Sequence, residues 1–184
     1  QPMADESPTC GLCYPNPFSG EVYPVSLWPE DVHSIVFWSK HYAPLLPHLD
    51  ELEERGYRFY FHYTITGALR KLEPHVPGWQ QAVQVFRKLA ERTSSRQVQW
   101  RFDPILFNDE LGSEFYVERF PDRPRISKFR PTREQCGCVA SRDIGMYDTC
   151  PYGCAYCYAN KSRKAALVRF NAHDVDGEML VGWE

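Results

Sequence analysis

The chain has 184 residues, of which 43% are hydrophobic and 15% aromatic, so it has the length of one domain and enough apolar material for a core. Its net charge of −3 excludes a global basic field that would attract nucleic acid. It contains no run of about 18 apolar residues and no signal-peptide pattern at its start, so we expect a cytoplasmic protein without a membrane span.

The predicted elements alternate between strand and helix. Strands are predicted at 22–27, 33–38, 57–64 and 97–102, and helices at 44–55, 79–92, 112–120 and 161–170. The second strand is nearly continuously apolar, which is typical of a parallel strand buried on both faces. Alternating strands and helices imply right-handed crossovers and a parallel sheet, so we expect an α/β fold.

Seven cysteines, clustered toward the two ends, favour reduced thiols that bind a metal over a disulfide framework. Cys150, Cys154 and Cys157 follow a Cys-x3-Cys-x2-Cys pattern. Three thiolates so close together can bind three irons of a 4Fe–4S cluster and leave the fourth iron without a protein ligand. Gly153 permits the tight turn that wrapping a cluster needs. The ring of Tyr156 would shield the cluster or face a bound cofactor.

A zinc site is the alternative for these cysteines. Zinc takes four ligands, and Cys136 and Cys138 lie just upstream, where either could complete a mixed knot. Cys10 and Cys13 form another Cys-x2-Cys pair, which is either incidental or half of a second metal site.

Polar side chains follow three predicted strands, at the edge where parallel α/β folds bind ligands. Lys40 follows one strand, Thr64 and Thr66 end the next, and Arg101 and Asp103 close the third. Arg101 would pair with a cofactor carboxylate in a bidentate geometry that lysine does not match. Asp103 would hold ribose hydroxyls or an amino group, unless the two residues form a structural ion pair.

Three further features have a plain structural interpretation beside a functional one. His62 lies inside a strand and is interpreted as a packed histidine in preference to a catalytic base. Glu73 lies on a proline-rich loop and is interpreted as a solvated carboxylate in preference to a catalytic one. The segment 119–133 carries five Arg and one Lys against one Asp, and is either a solvated linker or a strip that contacts phosphates.

The run from Cys136 to Asn160, Cys-Gly-Cys-Val-Ala-Ser-Arg-Asp-Ile-Gly-Met-Tyr-Asp-Thr-Cys-Pro-Tyr-Gly-Cys-Ala-Tyr-Cys-Tyr-Ala-Asn, resembles the C-terminal signature of the uncharacterised DUF1848 family. Similar internal motifs extend the resemblance over roughly 14–120 and 134–175: Asn16-Pro-Phe, Val25-Ser-Leu-Trp-Pro-Glu-Asp-Val, Ile35-Val-Phe-Trp-Ser-Lys, Thr64-Ile-Thr-Gly and Trp100-Arg-Phe-Asp-Pro-Ile-Leu-Phe-Asn-Asp. The terminal cysteines of the family resemble the cluster loop of radical S-adenosylmethionine enzymes. That resemblance implies a 4Fe–4S cluster, S-adenosylmethionine as cofactor, and a reductant such as flavodoxin or ferredoxin.

The resemblance also implies a fold. Radical S-adenosylmethionine enzymes have a partial (β/α) barrel with more strands than are visible here, and their cluster loop usually precedes those strands. We therefore expect a partial, permuted and shortened barrel in a single domain, with βα units over 14–120, a basic linker over 121–133 and an iron–sulfur segment over 134–175. An unpaired sheet edge would favour oligomerisation.

A more distant resemblance concerns the substrate. Thr64-Ile-Thr-Gly, Leu72-Glu-Pro and Arg101-Phe-Asp-Pro-Ile are similar to the middle of spore photoproduct lyase and DNA-photolyase-like radical enzymes. This implies a nucleic-acid lesion as the substrate of an otherwise unassigned radical enzyme. The alternatives are a non-catalytic zinc- or iron–sulfur-binding protein and an inactive truncated member of the family.

Overall fold

The structure is a computed structural model that describes residues 11–15, 21–106, 108–120, 144–174 and 177. The chain divides into two compact units, one of Gln1–Ile105 with Met146–Glu184 and the other of Leu106–Gly145. The single-domain organisation stays a prediction. None of the helices in the described ranges has the length and hydrophobicity needed to span a bilayer.

The first unit begins with a two-stranded antiparallel ribbon. Strand β1 (Gly11–Pro15) pairs with β2 (Val22–Ser26), in a register that places Gly11 opposite Ser26. The sequence predicted a strand at 22–27, which matches β2, and none before it, so it missed β1. Cys13 lies within β1, opposite Pro24.

A three-stranded parallel sheet follows, in the order β3-β4-β5. The elements of this βαβαβ run are β3 (Ile35–Ser39), a short 3₁₀ helix (Leu46–His48), α1 (Leu49–Glu54), β4 (Phe59–Thr64), α2 (Trp79–Arg92) and β5 (Val98–Arg101). The prediction of parallel strands joined by helices is confirmed. Within the described residues the strands form no closed barrel, so the barrel part of the predicted fold is not confirmed.

One face of the parallel sheet carries the core. Phe61 and Tyr63 of β4 are fully buried, and their rings contact Phe37 and Tyr42 with centroids 5.5 and 4.8 Å apart. Helix α2 buries Ala82, Val85 and Leu89, whose spacing of three and four residues places them on one side of the helix. The ring of Phe86 on α2 lies 6.1 Å from Tyr63, so α2 packs on this face.

The opposite face of the same sheet is uncovered as far as the described residues go. Val36 and Trp38 of β3 are 42% and 59% exposed, and Tyr60 of β4 is 37% exposed. The prediction that β3 is buried on both faces was therefore wrong. The apolar run of β3 matches a strand covered on both sides, yet only one side is packed in the described residues.

The second unit holds helix α3 (Ser113–Arg119). Its Tyr116 hydroxyl donates to the carbonyl of Leu106 at 2.8 Å and accepts from the Leu106 amide at 3.2 Å, which anchors the segment before the helix. The Arg119 guanidinium stacks over Phe115 at 4.2 Å. Residues 121–143, which include Cys136, Cys138 and most of the basic segment, lie outside the described residues.

Helix α4 (Arg163–Asn171) ends the described fold and belongs to the first unit. Ser162 caps its N-terminus, because the serine hydroxyl accepts from the Ala165 amide at 3.1 Å. The helix starts directly after the loop that carries the three C-terminal cysteines, so the cap also fixes where that loop ends.

Candidate functional site

The three C-terminal cysteines lie on one loop that is closed at its base. In this cysteine loop (residues 146–161), the Asp148 amide donates to the Ala159 carbonyl at 2.9 Å, and the Asp148 carboxylate accepts from the Lys161 amide at 2.5 Å. The Asn160 amide nitrogen donates to the Cys150 carbonyl at 2.6 Å. These bonds join the two ends of the loop, so the cysteines between them are carried on a constrained turn.

Gly153 makes the turn between the first two cysteines. Its φ of +63° lies in the left-handed region, which side chains with a Cβ rarely adopt. A Cβ at this position would also lie 2.8 Å from Cδ of Arg163, the first residue of α4. The backbone conformation therefore favours glycine here, as the sequence predicted from the needs of a tight turn, and a larger residue would also displace the Arg163 side chain.

A buried carboxylate, Glu73, joins the cysteine loop to the sheet. One of its oxygens, Oε1, accepts from Lys40 Nζ at 3.0 Å, from Thr66 Oγ1 at 2.7 Å and from the hydroxyl of Tyr156. The Lys40 ammonium also lies 5.7 Å from the centre of the Tyr156 ring. The amide of Ala155 donates to the carbonyl of Leu72 at 2.9 Å, which adds a backbone bond between the two loops.

This arrangement brings together Lys40, Thr66 and Tyr156, three residues that the sequence singled out separately. It also corrects the interpretation of Glu73 as a solvated carboxylate, because the residue is 7% exposed. A buried carboxylate is stable only when it is paired and hydrogen-bonded. The loop sequence alone carries no signal for this, since the partners are contributed by three other segments.

The charges around the site act on the thiols. Burial, followed by the negative charge of Glu73, raises the pKa of Cys154 to about 11, and the nearby Lys40 works in the opposite direction. Burial also raises the pKa of Cys150, with the charge of Cys157 adding to the effect. Since Cys150 and Cys157 also contribute to the raised pKa of Cys154, the three thiols are close enough to influence one another.

All three cysteines are half-buried and free of disulfides. The described ranges nevertheless contain no group of three or more His, Cys, Asp or Glu side chains placed to hold a metal ion. Convergence of these thiols on one site therefore stays a prediction. The donor set itself, three reduced thiols on one constrained turn, is of the kind that iron–sulfur clusters use.

A second group of predicted residues lies on the uncovered face of the sheet. Arg101, the last residue of β5, reaches across β4 and stacks its guanidinium 4.2 Å from the centre of the Trp38 indole ring. The indole nitrogen of Trp38 donates to Thr64 Oγ1 at 3.3 Å. Asp103, whose side chain is 66% exposed, lies 3.6 Å from the guanidinium. This geometry fits both interpretations of Arg101 and Asp103, a structural ion pair and a pair of ligand-binding side chains.

Sequence reasoning missed two residues near these groups. Trp38 was treated only as part of an apolar strand, although its alternation with Val36 places both on one side of β3. His41 was not singled out, yet its Nδ1 lies 2.8 Å from the hydroxyl of Tyr152 in the cysteine loop. Burial lowers the pKa of His41, which favours its neutral form at this contact.

Comparison with known proteins gives one match. A protein-family model described as a domain of unknown function, DUF1848, matches residues 9–123 and 122–159. No curated protein and no solved structure matches the chain. The matched residues cover most of the chain and include Lys40, Glu73 and the three cysteines of the loop, so the chain belongs to the DUF1848 family.

Proposed function

We propose that this chain is an iron–sulfur protein of the radical S-adenosylmethionine type, acting on a substrate that is still unassigned. The observation that carries the proposal is the position of the cysteine loop. Its three free thiols are tied, through Tyr156 and Glu73, to Lys40 at the carboxyl end of β3 and to Thr66 just beyond β4. Parallel α/β sheets bind their ligands at this edge.

The ligand set supports a cluster that is incompletely ligated by protein. Cys150, Cys154 and Cys157 would hold three irons and leave the fourth for the cofactor. When bound and reduced, such a cluster would supply the electron for cleavage of S-adenosylmethionine to methionine and a 5′-deoxyadenosyl radical. A flavodoxin or ferredoxin would be the reductant.

The remaining residues of the site would bind and orient the cofactor. The Arg101 guanidinium is half-buried and stacked, so it is already held in place to pair with a carboxylate. Asp103 is exposed beside it and would accept hydrogen bonds from hydroxyl or amino groups. Burial and the hydrogen bond to Glu73 raise the pKa of Tyr156, so its phenol stays protonated and continues to donate to the carboxylate.

The shortened and permuted barrel remains part of this proposal. Three parallel strands with one uncovered face are what a segment of a barrel wall would look like. The family model matches in two segments that meet at residues 122–123, as expected if this chain lacks residues that the family model contains between them. Permutation would account for a cluster loop that follows the strands, since it changes chain order and keeps spatial neighbours.

The uncovered face also favours a second candidate, an inactive or non-catalytic member of the family that holds zinc or a fully ligated cluster. Anaerobic reconstitution with iron and sulfide separates the two candidates. We expect about four irons per chain, broad visible absorption and, with a reductant, release of 5′-deoxyadenosine from S-adenosylmethionine. A colourless protein that binds stoichiometric zinc would contradict the proposal.

Matched cysteine variants sharpen this test. Cys154→Ala should abolish both the absorption and the cofactor cleavage, whereas Cys13→Ser, on the antiparallel ribbon, should change neither. Cofactor cleavage that persists in Cys154→Ala would overturn the ligand assignment.

A further inference from the structure

A cavity of about 520 Å³ lies at the amino edge of the parallel sheet, the edge opposite to the cysteine loop. Apart from one residue near the end of α1, its lining residues all precede or begin a strand of the sheet. They are Ser34, Glu53, Tyr57, Arg58, Phe59, Tyr60, Arg96 and Gln97. Pockets of this size hold small organic molecules.

Two arginines of the lining are held in neighbouring positions by the sheet. Arg58 directly precedes β4, and its carbonyl accepts from the Ile35 amide at the start of β3 at 2.8 Å. Arg96 lies two residues before β5. Gln97, which follows Arg96, donates from Nε2 to the carbonyl of Phe59, which follows Arg58, at 3.1 Å. The backbones of the two arginines are therefore fixed on adjacent segments at one edge of the sheet.

The charges of the cavity lining are unbalanced. In the part of the chain that the structure describes, the guanidinium groups of Arg58 and Arg96 have no ion-pair partner, and both residues are exposed. The carboxylate of the lining, Glu53, is already engaged, because its two oxygens accept from Arg92 at 3.0 and 3.4 Å. Arg92 is shared with Asp50. Even with the Glu53 charge counted in full, two arginines against one glutamate leave the lining positive.

We propose that this cavity binds a small organic dianion, a dicarboxylate or a phosphate ester, whose acidic oxygens pair with Arg58 and Arg96. Arginine presents a planar fork of donors that matches carboxylate and phosphate groups alike. The hydroxyls of Ser34 and Tyr60, which also line the cavity, are further donors for the same oxygens. The length of β4, about 17 Å, separates this cavity from the edge that faces the cysteine loop, so the site does not depend on the function proposed above.

Solution NMR titration of the full chain at low ionic strength tests the inference, with succinate as the probe and the arginine Nε–H signals as the readout. We expect saturable binding that weakens about three- to fivefold in Arg58→Gln and in Arg96→Gln, and about tenfold or more in the double variant, because exposed ion pairs are individually weak. Succinamate, in which an amide replaces one carboxylate, should also bind about three- to fivefold more weakly. Arg55→Gln is the matched control, because the Arg55 side chain is 64% exposed and lies outside the lining.

A second probe, glycerol 3-phosphate, identifies the anionic group. Tighter binding of glycerol 3-phosphate than of succinate would assign a phosphate ester to the cavity, and weaker binding would assign a dicarboxylate; either result supports the inference. Because Arg58 and Arg96 are exposed, their substitution should leave the urea midpoint unchanged, which checks that the variants fold. Absence of saturation with both probes well above millimolar concentration would overturn the inference. An equal loss of binding in Arg55→Gln, or equal binding of succinamate and succinate, would also overturn it, since the response would then reflect surface charge in general.

Discussion

Removal of the Glu73 carboxylate should destabilise the protein far more than removal of an exposed one. Glu73→Ala leaves the Lys40 ammonium, whose side chain is 16% exposed, without its partner, and it removes the acceptor for Thr66 and Tyr156. Breaking a buried ion pair costs about 3–5 kcal/mol, and the residual exposure of Lys40 places this case near about 3 kcal/mol. The comparison is Glu51→Ala, because the Glu51–Arg55 pair is 55% and 64% exposed and contributes about 0.3–0.5 kcal/mol.

Urea unfolding at neutral pH measures both variants on one scale. The double variant Lys40→Met, Glu73→Gln should recover part of the loss, because it removes the stranded charge and keeps an amide oxygen that accepts from Tyr156. Hydrogen exchange of the Ala155 amide, which is bonded to Leu72, should accelerate in Glu73→Ala if the cysteine loop detaches from the sheet. A Glu73→Ala cost within about 0.5 kcal/mol of the Glu51→Ala cost would refute this reasoning.

Three other predictions concern the turn at Gly153, the strand residue His62, and Cys136 and Cys138. Gly153→Ala should destabilise the protein by about 1–2 kcal/mol in the same urea assay, because its φ of +63° is unfavourable for alanine. Gly112→Ala is the control and should have little effect, since no atom lies within 4 Å of the added Cβ. Equal effects of the two substitutions would contradict the argument from backbone strain. Burial, with the charge of Arg101, lowers the pKa of His62 from its ordinary value of 6.5. The unfolded chain therefore binds more protons than the folded chain as the pH falls below about 6.5, and the urea midpoint should decrease over that range. His62→Gln should flatten that pH dependence, and an unchanged slope would show that His62 is not responsible. Replacing both Cys136 and Cys138 with serine should leave the iron content of reconstituted protein largely intact, and loss of half or more of the iron would show that one of them is a ligand.

Local patterns predicted the elements well where the signal was contained in neighbouring residues. The apolar spacing between Trp79 and Arg92 predicted α2 with the bounds that the structure has. Alternation of strands and helices predicted the parallel sheet, and the cysteine spacing with Gly153 predicted a tight turn. In each case the physical cause, helical periodicity or a backbone angle, acts over a few residues.

Other features depended on contacts between distant segments. Glu73 is buried because Lys40, Thr66 and Tyr156 surround it, and the last of these lies 83 residues away along the chain. The apolar run of β3 predicted a strand buried on both faces, but Trp38 on this strand is exposed. Burial depends on which other elements pack against a strand, and the strand's own sequence does not specify them. The formation of β1 likewise depends on its pairing with β2, and the residues before Val22 do not indicate that pairing by themselves.

The sequence by itself determined the family, the order of strands and helices from β2 to α4 and the spacing of the C-terminal cysteines, because motif spacing and periodicity are local properties. Only the tertiary structure decided that Glu73 joins the cysteine loop to the sheet and that Arg101 stacks on Trp38 across β4. A carboxylate or a cation takes its role from the groups that come close enough to pair with it. Those groups are set by the packing of the whole chain.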